Sequence, residues 1–465
     1  MLSGVLPHPP ALSAGWLEQV RGHPLLLPPE VRARNGGERL LAMLEECAVN
    51  ERLPAPDLAA RQREWLRALA RHAAKQSPHF EKRLKAAGLT PDELAAPGGL
   101  QALPLLTRRQ LVAARESLFC RSVPREHGQV DSASTTGSTG EPVTVRRTQH
   151  FSLHWLALTL REHLWHRRDL SGRLAIVRAN VFKQQDVSDW GSPCSLLFRS
   201  GRSATRPFKY SIEDLVCWLT EFSPHYLLAL PSTLIEIVAE LERTGRRLPD
   251  MRGVRTLSET VTPYLRDEVW RLLGVEVQDV YSSMEGGIIA TQCPEQGNYH
   301  VSEQVILEVV DEAGQPCAPG QTGRILLTQL VNYATPLIRY EIGDYAEVAE
   351  PCACGRGLTP IKRFVGRQRN LVLLPDGSRH WPVCGFASWG AVFPVRQFQF
   401  IQPDRQTIIA RFVAPGRPSA EQESRLTAII QNGLGHPFNV RYEWLTQPIP
   451  RGPGGKFEEF ICRAT

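Results

Sequence analysis

The chain has 465 residues, of which 42% are hydrophobic and 22% charged, with a net charge of +6. That length exceeds one ordinary core, and the balance excludes a disordered chain, so two or three globular domains are expected. The charge is modest, the arginines are scattered and no basic block is interleaved with aromatics, which disfavours a nucleic-acid partner and suits a small anionic ligand. In chain order, the first residues, Met1-Leu2-Ser3-Gly4-Val5-Leu6-Pro7, lack a basic leader followed by an apolar run, so no secretory signal is expected. Residues 58–87 predict a helix, with Trp65, Leu66, Leu69, Ala70 and Ala73 at helical spacing and Gly88 as its stop. Residues 104–115 predict a turn leading into a second helix. The short apolar runs 174–177 and 226–230 predict strands, 234–241 and 264–273 helices, and 275–281 an alternating strand. The most apolar stretch, 226–241, contains Pro231, Glu236 and Glu240 and cannot insert into a membrane. Alternating strands and helices imply an α/β architecture over a largely parallel sheet. From about Glu303 the pattern becomes β-rich, with strands at 305–310 and 323–328. The last hundred residues, from about Gly366, carry their own strands (398–401, 407–412) and a helix (420–431). The expected organisation is therefore a large N-terminal domain of α/β sheets plus a β-rich section over 1–365, and a small α+β C-terminal domain over 366–465.

Ten cysteines in a chain of this length do not suggest a disulfide framework, and a reducing cytoplasm is the expected compartment. Cys47, Cys120, Cys194, Cys217, Cys384 and Cys462 are isolated and read as small buried apolar residues. Cys352-Ala353-Cys354, with Cys293 and His300 from a separate segment, offers four soft or borderline ligands, the number a closed tetrahedral Zn²⁺ site needs. Cys317 lies near in sequence and could replace one of them.

The segment Ser134-Thr135-Thr136-Gly137-Ser138-Thr139-Gly140 places five hydroxyl-bearing side chains around two glycines, beginning and ending in small residues. Its unobstructed backbone N–H groups could wrap a polyphosphate, although a Ser/Thr-rich surface turn would look the same. Tyr281-Ser282-Ser283-Met284-Glu285-Gly286-Gly287 follows a predicted strand, where ligands collect in open α/β sheets. Then come Pro336-Leu337-Ile338-Arg339-Tyr340-Glu341-Ile342-Gly343-Asp344, Gly366-Arg367, and Pro450-Arg451-Gly452-Pro453-Gly454-Gly455-Lys456-Phe457. In this order and at these intervals the motifs resemble the adenylate-forming superfamily of acyl-CoA synthetases and adenylation domains. The segments 69–73, 78–80 and 103–107 are similar to the N-terminal region of phenylacetate–CoA ligases.

That resemblance implies roles. The residues Ser134 to Gly140 would hold the ATP β- and γ-phosphates, the turn Ser258-Glu259 would line the nucleotide and acid pocket, and Tyr281, Ser282 and Ser283 would flank the adenine. Glu285 would ligate Mg²⁺, and Asp344 and Arg367 would contact the ribose. Lys456 would stabilise the charge that accumulates at the α-phosphate when a carboxylate attacks it, and Arg369 would be the hinge of a mobile C-terminal domain. The acid is expected to be aryl or arylacetic, with its pocket between Trp190-Gly191, Ser258-Glu259 and Tyr281. CoA is the expected acceptor, with a carrier-protein thiol or an amine as the alternative, and a homodimer is a further expected partnership. Val143 stands where the superfamily often has a lysine, and the segment after Arg367 lacks the usual acidic pair, which leaves the acceptor open. A reading from another class is a zinc-stapled binding protein without catalysis; Glu285, Asp344 and Lys456 weigh against it.

Overall fold

A computed structural model describes residues 16–134, 143–178, 183–207, 210–367, 370–380, 389, 392–452 and 457–464. The apolar runs of the sequence become strands of one twelve-stranded sheet, ordered β11-β12-β13-β14-β10-β9-β8-β7-β6-β3-β5-β4. Its first half comprises β3 (Leu174–Arg178), β4 (Gln185–Val187), β5 (Ser203–Pro207), β6 (Tyr226–Ala229), β7 (Gly253–Leu257) and β8 (Val277–Ser283). Within it β5, β3, β6, β7 and β8 pair in parallel. The second half comprises β9 (Gly287–Gln292), β10 (Tyr299–Val301), β11 (Val305–Val310), β12 (Thr322–Gln329), β13 (Tyr340–Val348) and β14 (Pro360–Arg367), all antiparallel. The β-rich section is thus not a separate layer. The pair β8–β9 joins it to the parallel half, so one continuous sheet runs beneath all the strand-borne motifs.

Parallel strands must be covered on both faces, and successive side chains supply one face each. In β3 and β6, Ala175, Val177, Leu227 and Ala229 enter a core under the helices Ile212–Phe222, Pro231–Thr244 and Pro263–Leu273. Leu174 and Tyr226 face the other way, against the helices Gly37–Asn50 and Gln149–Trp165.

The helix expected over 58–87 is two helices, Ala55–Gln76 and Pro78–Ala86. Pro78 cannot continue the first, and the Ser77 hydroxyl accepts the Phe80 N–H to cap the second. Preceding the main sheet, β1 (Val130–Ser134) and β2 (Thr144–Thr148) form a separate hairpin. After β14 a two-stranded ribbon, β15 (Val372–Leu373) and β16 (Arg379–His380), leads to a four-stranded sheet ordered β19-β18-β17-β20. Those strands are β17 (Gln397–Gln402), β18 (Thr407–Val413), β19 (Asn439–Leu445) and β20 (Phe460–Cys462). The helix Ala420–Leu434 packs on this sheet, and Trp389, Phe398, Phe400, Phe412, Leu426 and Ile430 form its core. Among the described residues no helix is long and apolar enough to cross a membrane.

Candidate active site

Parallel strands deliver their C-terminal ends to one edge of the sheet, and the segments at Ser258 and Tyr281 lie there. At the end of β8 the Tyr281 hydroxyl donates to Asp344 Oδ2 at 2.6 Å, and its ring stacks on Phe364 with centroids 3.9 Å apart. Asp344 lies in β13 directly opposite Arg367 of β14, whose Nε donates to Asp344 Oδ1 at 3.2 Å. Burial pushes the Tyr281 phenol well up, and the Asp344 carboxylate adds to it, so the tyrosine is a fixed donor. Three strands thus hold a tyrosine, a carboxylate and a guanidinium in one row. Ser282 and Ser283 continue β8 into the turn, opposite Ile288 and Gly287. The Ser283 hydroxyl accepts the Gly286 N–H at 2.9 Å. Glu285 in this turn is 5% exposed, and its charge acts on the Arg367 guanidinium. A carboxylate so placed is costly unless something positive completes it.

The hairpin β1–β2 carries the Ser/Thr/Gly loop. Ser134 ends β1 opposite Thr144, and the two hydroxyls lie 2.9 Å apart. Thr135, Thr136, Gly137, Ser138, Thr139 and Gly140 lie outside the described residues. The hairpin is tied to the connection between β12 and β13: Asn332 Nδ2 and the Thr335 hydroxyl both donate to Arg146 O, at 2.9 and 2.8 Å. The Thr335 hydroxyl also accepts the Arg146 N–H. Neither Asn332 nor Thr335 stood out in the sequence. Their signal, a polar pair in an apolar stretch between two strands, becomes visible only once both are found fully buried.

Ser258, just after β7, holds φ at +73°, a conformation rare for a side chain with a Cβ and characteristic of functional turns. It presents Glu259, whose Oε2 accepts the Ser232 N–H at 2.9 Å. Its Oε1 accepts the N–H of Phe457 at 2.8 Å. Arg451 reaches the same place, with Nη2 at 3.2 Å from Glu236, Nη1 at 3.8 Å from Glu259 and a hydrogen bond to the Ser232 hydroxyl. Glu259 therefore receives the C-terminal segment on the N-terminal sheet. Lys456, the neighbour of Phe457, and the expected hinge Arg369 lie outside the described residues.

The ligand atoms of Cys293, His300, Cys352 and Cys354 all lie within 4.8 Å of one another. Cys293 follows β9, His300 lies in β10, and the other two cysteines are in the connection from β13 to β14. Cys354 Sγ is 3.2 Å from His300 Nε2, and Cys352 Sγ is 3.9 Å from Cys293 Sγ. A hydrogen bond from Cys293, then one from His300, holds the Cys354 thiol down, which favours the thiolate a metal requires. Cys317 is not part of this set: it sits against Gly323 in the core between β11 and β12. Beside the cluster a buried ion network crosses the molecule. Arg161 Nη1 is 2.9 Å from Glu303, and Glu51 accepts from Trp16 and Trp165 at 2.9 and 3.0 Å. Arg356 lies 3.7 Å from Glu51 and 3.4 Å from Glu295.

No protein-family model matches the chain. It is 24% identical over 347 residues to the phenylacetate-coenzyme A ligase of Aromatoleum evansii, covering 70% of this chain and 73% of that protein. To the Escherichia coli phenylacetate-coenzyme A ligase it is 24% identical over 327 residues, covering 68% and 73%. Among solved structures, 2-hydroxyisobutyryl-CoA ligase in complex with 2-HIB-AMP superimposes with a TM-score of 0.68 at 16% identity, covering 89% of this chain and 91% of that one. The chain is thus similar in sequence to phenylacetate-coenzyme A ligases and in fold to a solved CoA ligase. Against the expectations for such a protein, one placement differs. Trp190 donates to Gly172 O at 2.8 Å, and its ring centroid lies 5.5 Å from that of Tyr226. Gly172 and Tyr226 mark the starts of β3 and β6, whereas Ser258 and Tyr281 mark strand ends. Four or five residues at about 3.3 Å each put about 15 Å between the two edges, so Trp190 belongs to the core and not to the acid pocket.

Proposed function

We propose that this protein activates a carboxylic acid of aryl or arylacetic type with ATP and transfers the acyl group to CoA, as an AMP-forming acid–CoA ligase. The observation that carries this reading is the row Tyr281–Asp344–Arg367 with the buried Glu285 close by. In the first step a carboxylate oxygen of the acid bonds to the α-phosphorus of ATP, and the bond from that phosphorus to the bridging β-phosphate oxygen breaks. Pyrophosphate leaves and an acyl-adenylate remains. In the second step the CoA sulfur bonds to the acyl carbon and the carbon–oxygen bond breaks. AMP departs, and the thiol proton passes to solvent.

In this reading Asp344, an acceptor with two oxygens, takes the ribose hydroxyls, while Arg367 orients it and the Tyr281–Phe364 stack walls the adenine. Residues 134–140 bind phosphate oxygens. The buried carboxylate of Glu285 fits Mg²⁺, which would neutralise phosphate charge when bound. Lys456 is delivered to the α-phosphate by docking of Arg451 and Phe457 on Glu259. A hinge at Arg369, within a C-terminal domain of residues 366–465, would then exchange this arrangement for one that admits CoA. The set Cys293, His300, Cys352 and Cys354 fits a structural Zn²⁺ that would pin the β13–β14 connection onto β9 and β10.

Incubation with ATP, Mg²⁺ and a panel of acids, followed by CoA, carrier protein or an amine, tests the whole assignment. Acyl-CoA formed from an aryl or arylacetic acid is the expected product. An amide or a carrier thioester with no acyl-CoA would overturn the assigned acceptor. Elemental analysis of protein purified without added metal should find zinc bound to the Cys/His set, and a zinc-free, fully stable protein would remove that metal.

A further inference from the structure

Thirteen histidines are spread along the chain, yet four of them meet at the base of the hairpin β1–β2. His127 closes a short 3₁₀ turn (Arg125–His127) just before β1, and His150 and His154 lie in the first turns of the helix that follows β2. His72 comes in from the helix Ala55–Gln76. The ring centroids of His127 and His150 are 4.8 Å apart, as are those of His150 and His154. Tyr333 packs beside them at a tilt, its ring centroid 4.1 Å from that of His127 and 5.0 Å from that of His72. The proposed nucleotide reaction uses none of these groups.

His150 and His154 stand four residues apart on one helix face, and their Nε2 atoms are 3.2 Å apart. Two imidazole nitrogens bound to one tetrahedral Zn²⁺ at about 2.0–2.1 Å each would lie about 3.3 Å from one another. The pair is therefore already at the spacing of two ligands sharing an ion. His127 is 9% exposed, and its Nδ1 is buried with no hydrogen-bond partner among the described residues. His150 is only partly buried, which leaves a path for an ion to enter.

We propose that His127, His150 and His154 form a second transition-metal site, taking one late first-row divalent cation such as Zn²⁺ or Ni²⁺. The site bridges the turn before β1 to the helix after β2, and so staples the base of the hairpin. The histidine pair supplies two ligands as it stands, and His127, whose ring centroid lies 4.8 Å from that of His150, is assigned as the third. Imidazole-only ligation distinguishes this site from the thiolate-rich set at Cys293, His300, Cys352 and Cys354.

The test is a titration of the full-length protein at pH 7.5 with Co²⁺ and with Ni²⁺. Co²⁺ in a thiolate site shows sulfur-to-metal charge transfer, whereas an imidazole site shows only d–d absorption. One equivalent of the second kind is expected in the wild-type protein. His150→Gln and His127→Gln should each weaken it by about 100-fold or more, since even outer-shell losses cost about 10–100-fold. The melting temperature of each variant without added metal separates lost ligation from lost folding. Should a variant fail to fold, diethyl pyrocarbonate modification of wild-type histidines with and without Ni²⁺ replaces it, and three protected histidines are expected. Absence of an imidazole-type equivalent in wild-type protein would overturn the proposal. So would its retention in folded His150→Gln, or independence from His127, which would leave no bridge.

Discussion

Removing the Arg451 guanidinium should loosen the docking of the C-terminal segment without harming either core. Arg451 is buried against Glu236 and Glu259, with its side chain 14% exposed and that of Glu236 24% exposed. It belongs to none of the hydrophobic clusters, so Arg451→Ala subtracts an interface contact and not core packing. Breaking one partner out of a fully buried ion pair costs about 3–5 kcal/mol, and out of an exposed one about 0–1 kcal/mol. The exposure here lies between those limits, which gives about 2 kcal/mol. At about 1.4 kcal/mol per decade, that shifts the balance between docked and undocked segment by about 30-fold. The Phe457 N–H, which donates to Glu259 at 2.8 Å, reports docking directly. Its hydrogen-exchange protection should fall by about 30-fold in the variant, while amides of β6 and β7 keep theirs. Protection at Phe457 within about twofold of wild type would refute the claim that Arg451 latches the segment.

Asp344→Ala removes the acceptor of both Tyr281 and Arg367, and hydrogen bonds to a charged group are worth about 1.5–3 kcal/mol, so the KM for ATP should rise by about tenfold or more. Burial, then the charge of Glu259, pushes Glu459 up to about 7 from an ordinary 4.5. A carboxyl raised in the folded form contributes stability that is present below 4.5 and lost as pH rises through about 7, so docking of the C-terminal segment should weaken across that window. Glu459→Gln should flatten that dependence when Phe457 protection is measured against pH. Arg161→Met leaves Glu303 without its 2.9 Å partner in a buried network, and chemical denaturation should show a loss of about 3–5 kcal/mol.

The parallel half of the fold was legible because its strands are short apolar runs separated by amphipathic helices, a pattern that needs no tertiary knowledge. The continuity of the sheet was not, because a strand's neighbour is set by pairing across dozens of residues: β10 meets β14, not β11. Likewise Ser77-Pro78 divides a run whose helical spacing of apolar residues continues through the break. At the site, Tyr281, Asp344 and Arg367 were readable as motifs; register brings Asp344 to Arg367, whereas Tyr281, on a strand paired with neither, reaches Asp344 through its hydroxyl. The Cys/His set was readable by ligand chemistry. Cys317 was placed wrongly as an alternative ligand because nearness in sequence says little across a β-hairpin. Trp190 was misassigned to the acid pocket because its own segment does not reveal which end of the sheet it approaches. Asn332, Thr335, Arg451 and the histidine cluster were invisible as sites, since each depends on contacts more than 100 residues away or on burial.

The account stands or falls on adenylation. Carboxylate-dependent exchange of labelled pyrophosphate into ATP, measured with and without each acid, isolates that step from every question about the acceptor. The account predicts exchange that requires an acid and Mg²⁺ and that is abolished in Lys456→Ala while ATP still binds. No exchange with any acid, or wild-type exchange in Lys456→Ala, would contradict it.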